Sequence, residues 1–159
     1  MLRSRWCPGP AGDSLGERAA THGPDGDTRA GRGGPLVVSV TDFTSDAYRD
    51  LPGIARRGLA LRRHWPQLDG AVGMWLWAAP LARRCGSVSV WTGRRALAAF
   101  IRLPEHVAIM DEYRERGTIR SVVLEYDGLD PARLRRDAQA WLMSDDRFRV
   151  ARGTPRRRG

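Results

Sequence analysis

Not one of the 27 basic residues in this 159-residue chain is lysine; all are arginine. A GC-rich coding sequence accounts for that bias, and for the 18 glycines and 10 prolines, so arginine abundance alone carries no functional argument. Cysteine is scarce too. Cys7 and Cys85 lie in unlike contexts, which excludes a disulfide framework and fits a reducing cytoplasm. No apolar run approaches the roughly 20 residues a membrane span needs. Arg3 and Arg5 are followed by no apolar stretch, which excludes a secretory signal. The expectation is a soluble cytoplasmic protein. Also missing are G-x-G-x-x-G after a strand, a Walker A sequence, C-x-x-C, H-E-x-x-H and any evident Ser-His-Asp arrangement. Dinucleotide, phosphate-loop, thiol-redox and zinc-protease chemistry are therefore without support, and no side-chain metal site is expected.

The net charge of +9 suggests nucleic acid until it is divided along the chain. Residues 1–35 carry +1 and residues 36–146 carry +2, whereas residues 147–159 hold six arginines, no acid, and +6. The charge sits in a tail. Only Arg147 to Arg158 could make sequence-blind phosphate contacts, so nucleic acid is an unlikely partner otherwise.

What is present reads as one domain between two extensions. Residues 1–34 contain Pro8, Pro10, Pro24 and many glycines, with almost no apolar periodicity. Such a segment buries too little to offset its ordering entropy. It reads as a disordered Gly/Pro/Arg-rich extension, or an over-extended translation start, in which Trp6 and His22 carry no argument. Its removal is expected to leave folding intact. Residues 35–143 form the domain, and residues 144–159 a basic flexible tail.

Within the domain, Leu36 to Phe43 alternates as a strand. Asp50 then opens a helix with the stripe Leu51, Ile54, Gly58, Leu61 and Trp65, leaving Arg56, Arg57, Arg62 and Arg63 on the wet side; Pro66 stops it. Ala71 to Ala79 is a second strand, with Val72, Met74 and Leu76 on one face and Trp75 and Trp77 on the other. Cys85 to Trp91 is the third, its Ser87 and Ser89 alternating with Val88 and Val90. Thr92 caps a helix broken and restarted at Pro104; Ile119 to Asp127 is the fourth strand; Asp130-Pro131 opens a last helix bearing Leu134, Ala138, Trp141 and Leu142. The order is βαββαβ plus a C-terminal helix: an α+β, ferredoxin-like sandwich. An RNA-recognition module shares that order, but its third strand needs stacking aromatics that Cys-Gly-Ser-Val-Ser-Val-Trp lacks.

The run S-V-S-V-W-T-x-R-x-A-L-x-A-F, followed by P-x-H-x-x-x-M, spans Ser87 to Met110. It resembles the antibiotic-biosynthesis-monooxygenase-like group of dimeric α/β-barrel proteins and the spheroidene-monooxygenase-related branch of that superfamily. A weaker likeness extends from Leu36 to Leu142. The resemblance implies a homodimer closing a barrel sheet to sheet, which would cover the face of Trp75 and Trp77. It also implies an apolar pocket for a hydrophobic small molecule, aromatic or polyene. The activity it suggests is monooxygenation, cofactor-free or haem-dependent; a non-catalytic binder of haem or a hydrophobic metabolite is the alternative.

His106 is the one histidine in an informative position, as general base or haem ligand. With Trp91 it makes the catalytic pair, while Trp75, Trp77, Phe100, Arg102, Met110 and Tyr113 are the candidate substrate-binding residues. Trp91, Trp75 and Trp77 would stack on a flat ligand, or simply pack. Arg102 would meet an anionic oxygen or a propionate, or solvent. Met110 and Tyr113 share a helical face with His106 that serves equally as pocket wall or core stripe. Against the haem-degrading members, the catalytic tryptophan falls on Phe100 and the haem-ligand histidine on Met110. Their full constellation is absent, which disfavours haem degradation. The cofactor expectation is none, or haem on His106.

Overall fold

The computed structural model describes residues 1–12 and 35–144. Residues 13–34, including His22, and residues 145–159, including Arg147 to Arg158, lie outside the described part.

Alternation in the valine-rich stretch near residue 36 builds the central strand. Leu36–Ser45, called β3 because two short strands precede it (β1, Leu2–Arg3; β2, Cys7–Pro8), pairs antiparallel with β5 (Arg84–Trp91) and β6 (Gly117–Tyr126). β4 (Ala71–Ala79) pairs with the far side of β5, so the main order is β4-β5-β3-β6. That is the ferredoxin-like arrangement expected from βαββαβ. The helices are α1 (Leu51–Arg63), α2 (Arg94–Ile101), α3 (Pro104–Tyr113) and α4 (Pro131–Met143).

Because strand side chains alternate, β3 and β5 feed two cores. Val37, Met74 and Trp91 face Trp65 and Leu97 in one cluster, on the side of α1 and α2. Val38, Val40, Val88, Val90, Trp75 and Trp77 face Leu134, Ala138 and Leu142 of α4 in the other. The cover sought from a second chain is therefore supplied by this chain's own last helix, and Trp77 keeps only 3% of its surface exposed. The expectation failed because the sequence gives α4 an apolar stripe but no address for it.

Two further readings are corrected. Val72 lies with Trp75 and Trp77, not with Met74, because an irregularity between Ala71 and Gly73 sets both against Trp91 and Val90 and leaves Val72 extra. Thr92 is not the cap of α2; the N-cap is Gly93, without a side-chain bond, and the Thr92 amide donates to the Gly70 carbonyl. Asp50 stands at the N-cap position of α1, where the sequence opens the helix, but its side chain makes no capping bond: it ends a 3-10 turn, Tyr48–Asp50, and pairs with Arg116. Asp130, by contrast, accepts from the Ala132 and Arg133 amides at 2.9 and 3.0 Å and caps α4 as its position before Pro131 implies.

The larger correction concerns the start of the chain. Residues 1–12 are part of the domain: β1 and β2 pair antiparallel with β4. Trp6 packs on Trp75 at 5.7 Å between ring centroids. A Cβ at Gly73 would stand 1.8 Å from the Trp6 ring, so this seat exists because residue 73 has no side chain. Composition misled here, since a strand-edge segment needs backbone partners rather than apolar periodicity.

Candidate functional site

A cavity of about 480 Å³ lies between the α1–α3 side of the sheet and those helices. Its walls are apolar: Ile54 and Leu61 of α1, Leu97 and Phe100 of α2, Ile109 and Met110 of α3, Met74 and Leu76 of β4. Leu59, Ile101 and Ile119, all partly in solvent, stand at its rim. The floor is different. Ser39 and Thr41 of β3, Ser87 and Ser89 of β5 and Ser121 of β6 bring five hydroxyls to one face of three adjacent strands. Ser39 lies opposite Ser89, and Thr41 lies between Ser87 and Ser121. Thr41 Oγ1 and Ser87 Oγ share a 2.9 Å hydrogen bond. A mostly apolar site with a few placed polar groups is what small-molecule sites look like.

His106 stands at the second residue after Pro104, in the first turn of α3, and lines the cavity. Its ring lies 4.7 Å from that of Phe100. Nδ1 is 3.2 Å from the Ile101 carbonyl oxygen. A carbonyl can only accept, so Nδ1 carries the proton and neutral His106 keeps its lone pair on Nε2, which has no hydrogen-bond partner among the described residues. Burial lowers its pKa below the usual 6.5, because desolvation penalises the imidazolium; the Ile101 hydrogen bond opposes this more weakly. The group is a base at neutral pH with its free nitrogen fixed by the tether on the other.

The remaining candidates divide. Phe100 and Met110 line the cavity. Trp77 touches it, but its indole belongs to the opposite core, with Nε1 donating to the Thr41 carbonyl at 3.1 Å. Trp91 is wholly buried behind the wall, stacked against Phe100 at 5.0 Å and donating from Nε1 to Ser89 Oγ at 3.0 Å. It touches two lining residues and does not line the cavity itself. Trp75 is on the far face of the sheet, under Trp6. Arg102 is exposed at the break between α2 and α3 and is not part of the lining. Tyr113 lies off the cavity, edge-on to Phe43 at 6.3 Å, its hydroxyl close over Gly53.

Four features were missed. The hydroxyl floor was signalled by the alternation of Ser39 and Thr41 in β3, and of Ser87 and Ser89 in β5, with valines. Trp65, read as the end of an apolar stripe, is buried in the wall and reaches the cavity. Arg62, assigned to the wet side, lines it also, and its Nη2 donates to the Arg5 carbonyl at 3.0 Å. Cys85 lines it as a free thiol, pushed up to about 11 by burial and, less, by Asp42, so it stays protonated at neutral pH.

Among the described residues no group of three or more His, Cys, Asp or Glu could hold a metal ion, and no helix is long and apolar enough to cross a membrane. The site is thus a cavity between sheet and helices of a ferredoxin-like α+β domain, with one imidazole at its wall. No protein-family model matches this chain, and no curated protein matches it by sequence. Solved structures do. A Shewanella oneidensis protein superposes with a TM-score of 0.52 at 13% identity, over 57% of this chain and 90% of that one. A candidate antibiotic biosynthesis monooxygenase from Nitrosomonas europaea gives 0.51 at 12%, over 60% and 92%. A candidate monooxygenase from Lactobacillus acidophilus gives 0.50 at 11%, over 65% and 53%. At these identities the likeness is one of fold: this chain has the α+β fold of antibiotic-biosynthesis-monooxygenase-like proteins.

Proposed function

We propose that the protein is a monooxygenase-like enzyme acting on a flat aromatic or polyene small molecule held in the cavity. The observation that carries this reading is His106, tethered through Nδ1, with an unpartnered Nε2 at the wall of an apolar cavity that has a hydroxyl floor. A quinol entering that cavity would place its ring against Phe100 and Met110 and its oxygens over the serine and threonine hydroxyls. His106 Nε2 takes the phenolic proton. The resulting anion is the reductant for oxygen, in a site whose walls are mostly apolar. Quinol plus dioxygen to hydroxyquinone plus water balances without a further reductant. One oxygen atom stays on the ring, the other leaves as water, and the substrate supplies all four electrons.

Haem binding without turnover is the second reading, favoured by the same Nε2, since a metal-ligating imidazole is oriented by the hydrogen bond on its other nitrogen and His106 would be the residue to hold the iron. The ligand atom fits, but Arg62 is the one cationic residue in the described lining, where two propionates would be better served by two. Homodimerisation belongs to the proposal on a different surface from the one first expected. Ile101, Met110 and Ile119 of the cavity lining are exposed, as are Val107 and Val123, and a second copy would cover them.

Oxygen uptake with a panel of quinol-type compounds, beside a His106→Ala control and a hemin titration, tests the reading. The expected result is uptake that falls by about 10²-fold or more in the variant. A saturable Soret shift lost in His106→Ala, without uptake, would replace catalysis with haem binding. Light scattering of the active protein should give twice the 17.7 kDa chain mass.

A further inference from the structure

A second recess, of about 260 Å³, opens where the N-terminal segment meets α4, on the sheet face that carries Trp75. Arg3, Ser4, Arg5 and Trp6 line it from the segment, Trp75 from β4 and Arg135 from α4. No acidic residue is among the described lining, so three guanidiniums share a small space without a counter-charge. All three arginines are exposed, and a molecule in solvent can reach them.

Arginine is common in this chain, and an exposed one is ordinarily a solvated charge. This group differs in being assembled. Arg3 Nη2 donates to Gln139 Oε1 at 2.8 Å, and Gln139 stands four residues after Arg135, on the same face of α4. A neutral side chain thereby holds one guanidinium to the stretch of helix that carries another. None of the three arginines pairs with a carboxylate among the described residues, whereas Arg133, on the next turn of that helix, meets Asp137. Ser4 Oγ is already committed, accepting from the Leu76 amide at 2.9 Å and donating to the Arg5 carbonyl at 3.1 Å. Trp6 is seated over Gly73 and on Trp75, yet keeps 37% of its surface exposed.

We propose that this recess binds a phosphate dianion carried on an aromatic ring, as in a mononucleotide. Guanidinium forks match phosphate oxygens two at a time, and a bound dianion removes the repulsion among three like charges. The exposed part of the Trp6 indole offers the ring a stacking surface beside the phosphate. The volume lies just under the usual range for small-molecule sites, so the phosphate and ring enter and the rest of the ligand stays in solvent. Of the lining, Ser4 alone is shared with the large cavity. The recess is therefore a separate site, and it stands whether or not the activity proposed for the cavity is found.

The test is equilibrium dialysis of the full chain at low salt against AMP, adenosine or inorganic phosphate. AMP should saturate one site, and adenosine and phosphate should each bind at least about tenfold more weakly, because each makes only half of the contacts. Arg5→Gln and Arg135→Gln should each weaken AMP about tenfold. Both side chains are exposed, and the Arg5 carbonyl survives the change, so the fold is kept. Arg136→Gln, on the adjoining residue of α4 and outside the recess, should leave AMP binding as it was. Equal losses in Arg135→Gln and Arg136→Gln would show attraction by general surface charge and remove the site. AMP binding no tighter than inorganic phosphate, or no saturable uptake of AMP, would overturn the proposal as well.

Discussion

His106 is where a single proton decides what the site can do. Its pKa is lowered, chiefly by burial, so in the folded protein it stays neutral to a lower pH than it does in the unfolded chain, where it titrates near 6.5. Two consequences share one sign. Between the lowered folded value and 6.5 the unfolded chain binds the extra proton, so stability falls as pH drops through that window and is restored above it. For base catalysis the neutral form persists, so the acid limb of the rate profile lies below pH 6.5. The measurement is kcat/KM against pH, with urea midpoints of wild type and His106→Gln at pH 5 and 8. The wild type should lose more stability than the variant on going to pH 5. An acid limb above 6.5 would mean that the imidazole is held by an anionic neighbour, contrary to its Ile101 carbonyl tether. The position of His106 was legible in the sequence, because proline at the first helical position fixes where its first turn begins. Its tautomer was not, since the Ile101 carbonyl belongs to the preceding helix and the bond exists only once the break between α2 and α3 has its shape. The same holds for Arg62, which four other arginines within 15 residues made look ordinary.

At the scale of elements, the fold depends on how α4 is fastened across the sheet. Asp42, only 2% exposed, sits on β3 between Arg84 of β5 and Arg120 of β6. Arg84 donates to it from Nε and Nη2 at 3.1 and 2.7 Å, and Arg120 from Nε at 2.6 Å. Both arginines also reach past it to the end of α4. Arg84 Nη2 and Arg120 Nη2 donate to the Leu142 carbonyl at 2.7 and 3.0 Å, and Arg120 Nη1 to that of Ser144 at 3.0 Å. Arg120 stacks on Trp141 at 4.6 Å. Orphan carbonyls at a helix C-terminus are thereby met by cations, the favourable sign for the helix dipole. Asp42 holds those cations in place. Asp42→Ala would leave two guanidiniums partly buried without their counter-charge, at a cost of about 3–5 kcal/mol in urea unfolding. The near-isosteric Asp42→Asn should cost less yet still loosen α4, seen as faster amide exchange over Leu134 to Leu142. A loss under 1 kcal/mol in Asp42→Ala would mean that the apolar stripe alone seats the helix. The four long strands and the helices were readable from period, but the clamp was not: Asp42, Arg84 and Arg120 become neighbours only through β pairing across 42 and 78 positions of chain.

For the whole molecule, the boundary between domain and extension is the lesson with the sharpest consequence. Leu2 and Arg3 pair with Ala78 and Trp77, Cys7 and Pro8 with Met74 and Gly73, and Ser4 Oγ accepts from the Leu76 amide at 2.9 Å. These contacts cap the outer edge of β4, which otherwise offers a row of unpaired backbone groups beside Trp75. The segment also forms part of the candidate site, since Ser4 lines the cavity and the Arg5 carbonyl accepts from Arg62. Deleting residues 1–12 should therefore act on three properties together. Stability drops by about 2 kcal/mol from the lost Trp6 packing and strand pairing. Self-association rises with concentration as the bare β4 edge pairs with other chains. Ligand affinity in the cavity falls because its lining loses Ser4 and the tether on Arg62. Urea unfolding, light scattering and a binding titration on the same preparation separate the three. Trp6→Ala should reproduce the first without the other two, since it keeps the backbone ladder and the Arg5 carbonyl. A truncated protein that matched the full chain in all three would return the first twelve residues to the status of a tail, with β4 as a natural free edge.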